Sequence, residues 1–379
     1  MTAPFLLIEA VATTETPLHI GDGRSVGVIN YTRSHIPGSA IRGCIGLLLK
    51  RTSCKLKDGE HHAEGDECIY HRIIEDEDGG QANAFFRYAY PLHVGCGGVF
   101  YPTSKTVSIC KNPQCNFSVD SFATPLDCPQ CQGSLRSGPR YQCSKCGWLQ
   151  NLPVGTFRST MASIDRKYNA AAWMTDSEGQ KHGTLHTLEL IETGSQFKIQ
   201  VLLKAEAQQY ASPLGNMIAQ GLADDGVGAA KSRGLGKMRI KNVTVTEIGR
   251  DIIERRAADL NGDKLGLRLL TPLVLEENES LRAETILEAA RSAYTQAFRT
   301  GKPSLKELKL IDERSRFTTY GGWSLKANRK RRILPAIEAG STYRLGELDE
   351  QLKLTLASLE QTFALGGFKT HGCGQVLLR

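Results

Sequence analysis

The chain is 379 residues long, 40% hydrophobic and 23% charged, with a net charge of +7 and a sequence pI near 8.8. That length exceeds one ordinary domain and suits two with an insertion. The composition excludes a disordered chain, and the modest basic excess selects no partner by itself, because many soluble enzymes share it.

Met1 to Ile20 lacks the basic start and cleavage site of a signal peptide and reads as a strand entering the fold. No apolar stretch approaches bilayer length, so a cytoplasmic location is expected, without a membrane partner. In that reducing compartment eleven cysteines point to metal before disulfides.

Phe5 to Val11 reads as a strand, and Pro37-Gly38-Ser39 as a turn into a helix over Ala40 to Arg51. The stretch from about Cys54 to Trp148 then holds nine of the eleven cysteines among many turn formers. Cys128-Pro-Gln-Cys131 and Cys143-Ser-Lys-Cys146-Gly147 are two C-x-x-C knuckles, the soft tetrahedral ligand set of structural zinc. Spacing favours the quartet Cys128, Cys131, Cys143 and Cys146. In the alternative, Cys110 and Cys115 close a site with Cys128 and Cys131, leaving Cys143 and Cys146 to find Cys96, Cys68, Cys54, His61, His62, His71 or His93. Either way Zn(2+) is expected as a staple for a long loop and not as a catalyst.

Beyond the cysteines, Gly183 to Thr193 and Gln196 to Leu203 read as a strand pair, and Pro213 to Asp224 as a helix. Gly249 to Lys264 reads as a charged linker, Leu265 to Leu270 as a strand, and Leu281 to Phe298 and Glu347 to Ala364 as helices. The strand-helix-strand-strand-helix-strand order suggests an α+β sandwich with helices on one face of an antiparallel sheet.

The two halves share a repeat. Lys231-Ser232-Arg233-Gly234-Leu235-Gly236-Lys237-Met238 aligns without a gap on Lys369-Thr370-His371-Gly372-Cys373-Gly374-Gln375-Val376, and each leads into a strand. Each half also opens with Thr-Pro-Leu, at Thr16-Pro17-Leu18 and Thr271-Pro272-Leu273. Thr16 precedes Lys231 by 215 residues but Thr271 precedes Lys369 by only 98, so the first copy carries about 117 extra residues, which the cysteine segment supplies. The expected domains are therefore residues 1–248, including a zinc-binding insertion at 52–155, and residues 265–379.

Glycine loops carrying Lys, Arg or His bring backbone donors and charge to phosphate, which suits single-stranded RNA. Lys231, Arg233, Lys369 and His371 are expected to line a cleft between the halves and hold the end of an RNA, with Ser232, Gly234, Gly236, Lys237, Thr370, Gly372 and Gly374 completing the two loops. Arg42, at a helix N-terminus, is a further candidate contact. A second basic run, Lys326-Ala-Asn-Arg329-Lys330-Arg331-Arg332, follows Phe317, Tyr320 and Trp323, which could stack on bases.

Ile36-Pro-Gly-Ser-Ala-Ile-Arg-Gly43 resembles the "IPGSSLRG" turn of the RAMP superfamily of CRISPR proteins, and Lys231 to Met238 resembles its glycine-rich loop. Phe86-Arg-Tyr-Ala-Tyr-Pro91, Ile164-Asp-Arg166 with Gly183 to Glu189, and Gly321-Gly-Trp323 with Gly340 to Tyr343 extend the likeness. Together they resemble the two-domain subunit that binds the 5′ handle in type III effectors, nearest the III-D form. The resemblance implies ferredoxin-like (RRM-like) domains, a bound CRISPR RNA, neighbouring backbone and large subunits, nearby target RNA and a role in antiviral defence.

Family members that cut target RNA place an aspartate before the Ile-Pro-Gly-Ser turn. Here that loop has one acid, Asp22, far upstream, so no catalytic residue is assigned. The alternatives are a RAMP endoribonuclease using His19, His35 or His371, and a zinc-ribbon factor of transcription or translation whose ribbon carries the function.

Overall fold

The computed structural model describes residues 3–379 other than 57–59, 61, 64–65, 76–81, 124, 166, 169, 176, 276–279, 325–328 and 363. In β1 (Phe5–Thr14) the alternation of Ile8, Ala10, Ala12 and Thr14 buries one face. Helix α1 (Gly38–Thr52) starts after Pro37 and buries Ile41, Cys44, Ile45, Leu48 and Leu49, the helical spacing that makes one apolar stripe. The first half continues through β2 (Ala84–Phe86), β3 (Gln196–Lys204), α2 (Ala211–Asp224) and β4 (Met238–Ile248). These strands form an antiparallel sheet in the order β4-β1-β3-β2, with α1 and α2 packed on the Ile8 face.

The second half repeats the plan. It runs α3 (Arg250–Ala258), β5 (Lys264–Leu269), α4 (Ala283–Phe298), β6 (Lys309–Arg314), β7 (Thr342–Gly346), α5 (Glu350–Thr362) and β8 (Val376–Leu378). Its sheet order is β6-β7-β5-β8, the same permutation as in the first half, also antiparallel. Phe5, Phe85 and Leu202, from the other face of the first sheet, join the core built by α3, α4, α5 and β5. Polar ties reinforce this apolar join: Arg87 donates to the Gln361 carbonyl at 2.7 Å, and the Tyr90 hydroxyl donates to the Leu270 carbonyl. Within the second half the Arg256 guanidinium grips Glu360 at 2.6 and 3.1 Å, and Glu360 also accepts from the Leu378 N–H of the last strand.

Three expectations change. The linker contains α3, whose Ile253 and Ala257, one turn apart, dock into the second core; its run of charges hides that narrow stripe. Leu185–Ile191 does not pair with β3. It pairs with Thr156–Ala162 and Ile29–Asn30, and the turn between it and β3 carries the chain from one sheet to the other. The range assigned to the insertion includes β2 and the core residues Ile73 and Ile74, because a three-residue edge strand is too short to show periodicity.

Candidate nucleic-acid interface and metal centres

Each glycine loop is a short 3₁₀ turn between two left-handed residues: Ala230 (φ 57°) and Gly234 (φ 82°) in the first, Phe368 (φ 54°) and Gly372 (φ 81°) in the second. The Thr-Pro-Leu steps are the clamps that hold them. The Gly236 N–H donates to the Pro17 carbonyl and that of Gly374 to the Pro272 carbonyl, both at 2.9 Å. Likewise Lys237 N–H donates to Thr16 Oγ1 at 3.0 Å, and Gln375 N–H to Thr271 Oγ1 at 2.9 Å. The two sequence repeats are thus halves of one structural device, used twice.

Their surroundings differ. Ser232, Arg233, Gly234 and Lys237 are exposed and Lys231 is half-buried, whereas Thr370, His371, Gly372 and Gly374 are buried against the first half. A methyl group on Gly372 would lie 2.4 Å from the Phe86 carbonyl oxygen, and one on Gly38 would lie 2.6 Å from that of His371. The second loop therefore packs between the halves, and the expected cleft lined by both loops is replaced by a filled interface. Lys369 is half-buried there, and burial lowers its pKa to about 8. Arg42 is also corrected: it is 5% exposed and donates to the Ile74 carbonyl, tying α1 to the chain that returns to the core. In the second basic run Arg329 and Lys330 are exposed on a two-residue strand and Arg331 is half-buried near His371, while Lys326 lies outside the described residues. Phe317 is exposed, but Tyr320 is buried under Phe368.

His371 is 1% exposed and shares a 3.0 Å hydrogen bond with the Tyr320 hydroxyl. Burial, and then the charges of Arg42 and Arg331, push its pKa down to about 3. An unfolded histidine titrates near 6.5, so between about pH 6.5 and 3 only the unfolded chain takes up this proton, and stability falls as pH falls. Urea unfolding of the wild type is expected to lose up to about 1.4 kcal/mol per pH unit more than His371→Asn as pH drops below 6. Parallel profiles for the two proteins would refute the assignment.

The other histidines considered for catalysis are also held. His19 Nδ1 is 2.8 Å from the Glu189 carbonyl, and His35 stacks on Tyr88 with Nδ1 3.0 Å from the Tyr141 hydroxyl. Asp22 is paired with Arg24.

Around the first loop a surface emerges that motif reading missed. Strands at Gly21–Val26, Ile29–Thr32, Leu185–Ile191 and Thr156–Ala162 form one sheet, and Leu235 of the loop packs with its Leu188 and Leu190. Arg233 Nη1 reaches His186 Nε2 at 2.8 Å and Met161 Sδ at 3.2 Å, which fixes the loop over the sheet. On the opposite face of this sheet, where Arg158 stands across from Glu189, Arg24 and Arg158 both lie over the Tyr31 ring, 5.5 and 5.9 Å from its centre. Beyond this sheet Ile164–Asp165 pairs with Ala170–Ala171 and Trp173–Thr175 pairs with Lys181–Gly183, and Tyr168 and Trp173 are exposed, with Lys167 over the Tyr168 ring. Cations interleaved with open aromatic faces on an extended sheet suit single-stranded nucleic acid, where charge holds the backbone and rings stack on bases. No local pattern marks Arg24, Tyr31 and Arg158, because sheet pairing alone brings them together.

Among the described residues the cysteines form two four-donor clusters, each able to hold a metal ion, and neither is the favoured quartet. Cys110, Cys115, Cys128 and Cys131 make one; His93, Cys96, Cys143 and Cys146 make the other. Strand pairing decides the partition. Val107–Cys110 pairs with Leu135–Ser137, which brings Cys110 to 3.4 Å from Cys131. Tyr141–Cys143 pairs instead with Phe100–Pro102, which sets Cys143 at 3.4 Å from Cys96 and Cys146 at 3.2 Å from His93 Nδ1. Burial opposes the Cys143 thiolate, but hydrogen bonds from the Cys146 and Lys145 backbone, then Cys96 and His93, bring its pKa down to about 6. Cys131, held by the Gly133 N–H and then Cys110, falls to about 7. Cys54, His62 and Cys68 form a further three-donor group at the end of α1, and His61 lies outside the described residues.

Among the described residues no helix is long and apolar enough to cross a membrane. The sequence profile of the RAMP superfamily matches residues 11–239. No curated protein matches the chain. Among solved structures, the cryo-EM structure of a type III-B Cmr-beta complex bound to cognate target RNA contains a similar chain, with 14% identity and a TM-score of 0.35. The match covers 64% of this chain and 61% of that one, so this chain spans less than two thirds of its length. A chain of the apo type III-B Cmr-beta structure is similar at 13% identity and a TM-score of 0.32, over 62% of this chain and 96% of that one.

Proposed function

Because the chain belongs to the RAMP superfamily, we propose that it is a non-catalytic subunit of a cytoplasmic type III CRISPR ribonucleoprotein that holds the 5′ handle of the CRISPR RNA. The observation that carries this reading is the sheet beside the first glycine loop, which has Arg24 and Arg158 over the Tyr31 ring on one face and Arg233 against His186 on the other. Each half reads as a ferredoxin-like (RRM-like) domain, a view supported by the shared strand order, with domains over residues 1–248 and 265–379. Holding without cutting fits the three histidines, each spent on a structural hydrogen bond, and the pairing of Asp22. The backbone and large subunits are the expected protein partners, with target RNA nearby.

Zinc fits both four-donor clusters. Bonds of about 2.3 Å from sulfur to zinc give a tetrahedron with edges near ~3.8 Å. The donor pairs, at 3.2 to 3.6 Å, sit slightly inside that edge. When bound, the ion closes the long insertion covalently in place of a larger core.

Reversing charge in the double variant Arg158→Glu/Arg233→Glu is expected to weaken binding of single-stranded repeat RNA by roughly 10- to 100-fold. It should also flatten the salt dependence by about 0.7 for each phosphate that is no longer neutralised. Unchanged affinity and slope would remove both faces of this sheet from the interface. Purified protein incubated with the same RNA in EDTA is expected to leave it intact, and cleavage abolished by His35→Ala or His371→Ala would establish the nuclease reading instead.

A further inference from the structure

A second cationic feature lies where the cysteine-bearing insertion meets the C-terminal sheet. Thr106 and Asp120 from the insertion, with Arg268, Thr342, Arg344 and Arg379 from the sheet, border a cavity of about 230 Å³. Its origin is visible in β5. Leu265, Leu267 and Leu269 face the core, so Arg268 points to the opposite face, which the insertion covers. Arg268 is 2% exposed, and among the described residues its Nε and Nη2 have no hydrogen-bond partner. Its one contact, from Nη1 to Gln142 Oε1, is 3.4 Å long.

A buried guanidinium without a carboxylate costs several kcal/mol, so such a group calls for an anion. The carboxylate on the wall does not supply it. Asp120 accepts from the Thr106 hydroxyl and faces Arg379 at 4.0 Å. Arg344 is engaged by Asp312 at 3.0 Å and stacks on Phe122. The open donors are therefore those of Arg268, on the cavity floor, joined by the half-exposed guanidinium of Arg379. Burial holds the Arg268 pKa down to about 9, in keeping with an unmet charge.

We propose that this cavity is a binding site for a phosphate monoester, with the Arg268 fork gripping the phosphoryl oxygens and Arg379 closing over them. With Arg344 neutralised by Asp312, Arg268 and Arg379 against Asp120 leave a wall surplus of one positive charge, and the open guanidinium fork suits the oxygens of a phosphate monoester, which carries −1.5 to −2 at about pH 7. The space is several times the ~30 Å³ share of a water molecule, so the phosphate enters with part of its substituent. The phosphate has two possible sources, the 5′ terminus of a bound RNA or a free mononucleotide. The site does not depend on the RNA face described above.

Equilibrium dialysis of the full-length protein against labelled 5′-AMP tests the proposal. One saturable site per chain is expected, weakened at least tenfold by Arg268→Gln and tightened severalfold by Asp120→Asn, each with wild-type metal content. Removing a lone buried charge tends to leave stability level or raised, and Asp120→Asn provides an independent reading. Absence of saturable binding, or binding indifferent to both substitutions, overturns the site. Competition then identifies the source. Displacement of AMP by 5′-phosphorylated but not 5′-hydroxyl RNA of one sequence assigns the RNA terminus, displacement by neither assigns a free mononucleotide, and equal displacement by both refutes a monoester site. The variant Arg158→Glu/Arg233→Glu should keep its AMP binding, so failure of the RNA face and failure of this cavity are distinguishable.

Discussion

Cys143→Ser is expected to release one equivalent of metal per chain and to undo the contact between the insertion and both halves. Cys143 is buried at the end of the strand Tyr141–Cys143, directly beside Cys96. That strand also carries Tyr141, whose hydroxyl meets His35, and Gln142, whose side chain meets Arg268 and Arg379. Structural zinc is worth about 10 to 16 kcal/mol in isolated finger peptides, far more than the few apolar residues packed around this cluster can replace. Cys131→Ser, at an exposed ligand of the other cluster, should also release one equivalent yet spare the Tyr141 strand. Metal analysis with limited proteolysis checks both: new cleavage around residues 96–146 is expected for Cys143→Ser, and for Cys131→Ser only around 110–135. If Cys143→Ser keeps its full metal content, or if the two variants give the same cleavage map, the partition of ligands between the clusters is wrong.

That partition shows where sequence reasoning runs out. The number of cysteines and their C-x-x-C spacing announce metal, because ligand chemistry is local. Which knuckle joins which depends on strand register, and two knuckles eleven residues apart belong to different sheets. The repeat was legible for the same local reason: a left-handed glycine, a clamp from Thr-Pro and a following strand are all written in short segments. The exposure of each copy was not legible, because docking of one half on the other sets it. Arg42 and His371 have the composition of RNA contacts and the burial of core residues. Conversely, Arg24, Tyr31 and Arg158 are ordinary in sequence and become a cationic aromatic surface only through sheet pairing.

Gly372→Ala and Gly234→Ala should therefore differ sharply, although the two glycines occupy the same place in the repeat. Both have φ near 80°, at 81° and 82°, where a side chain costs about 1–2 kcal/mol in backbone strain. A Cβ at Gly234 meets nothing within 4 Å, so that strain is the whole expected loss. A Cβ at Gly372 falls 2.4 Å from the Phe86 carbonyl oxygen and 3.1 Å from the Tyr88 nitrogen, backbone atoms that cannot rotate away. Relief requires the halves to part, which adds an overpacking cost of about 1–3 kcal/mol. Phe86 is held in turn by its register with Val201, so displacement there strains the first sheet as well as the interface. Thermal and urea unfolding should place Gly372→Ala about 2–5 kcal/mol below wild type and Gly234→Ala no more than about 2 below it. Equal losses would mean that the second loop is as free as the first, and the cleft between the halves would have to be reopened as the RNA site.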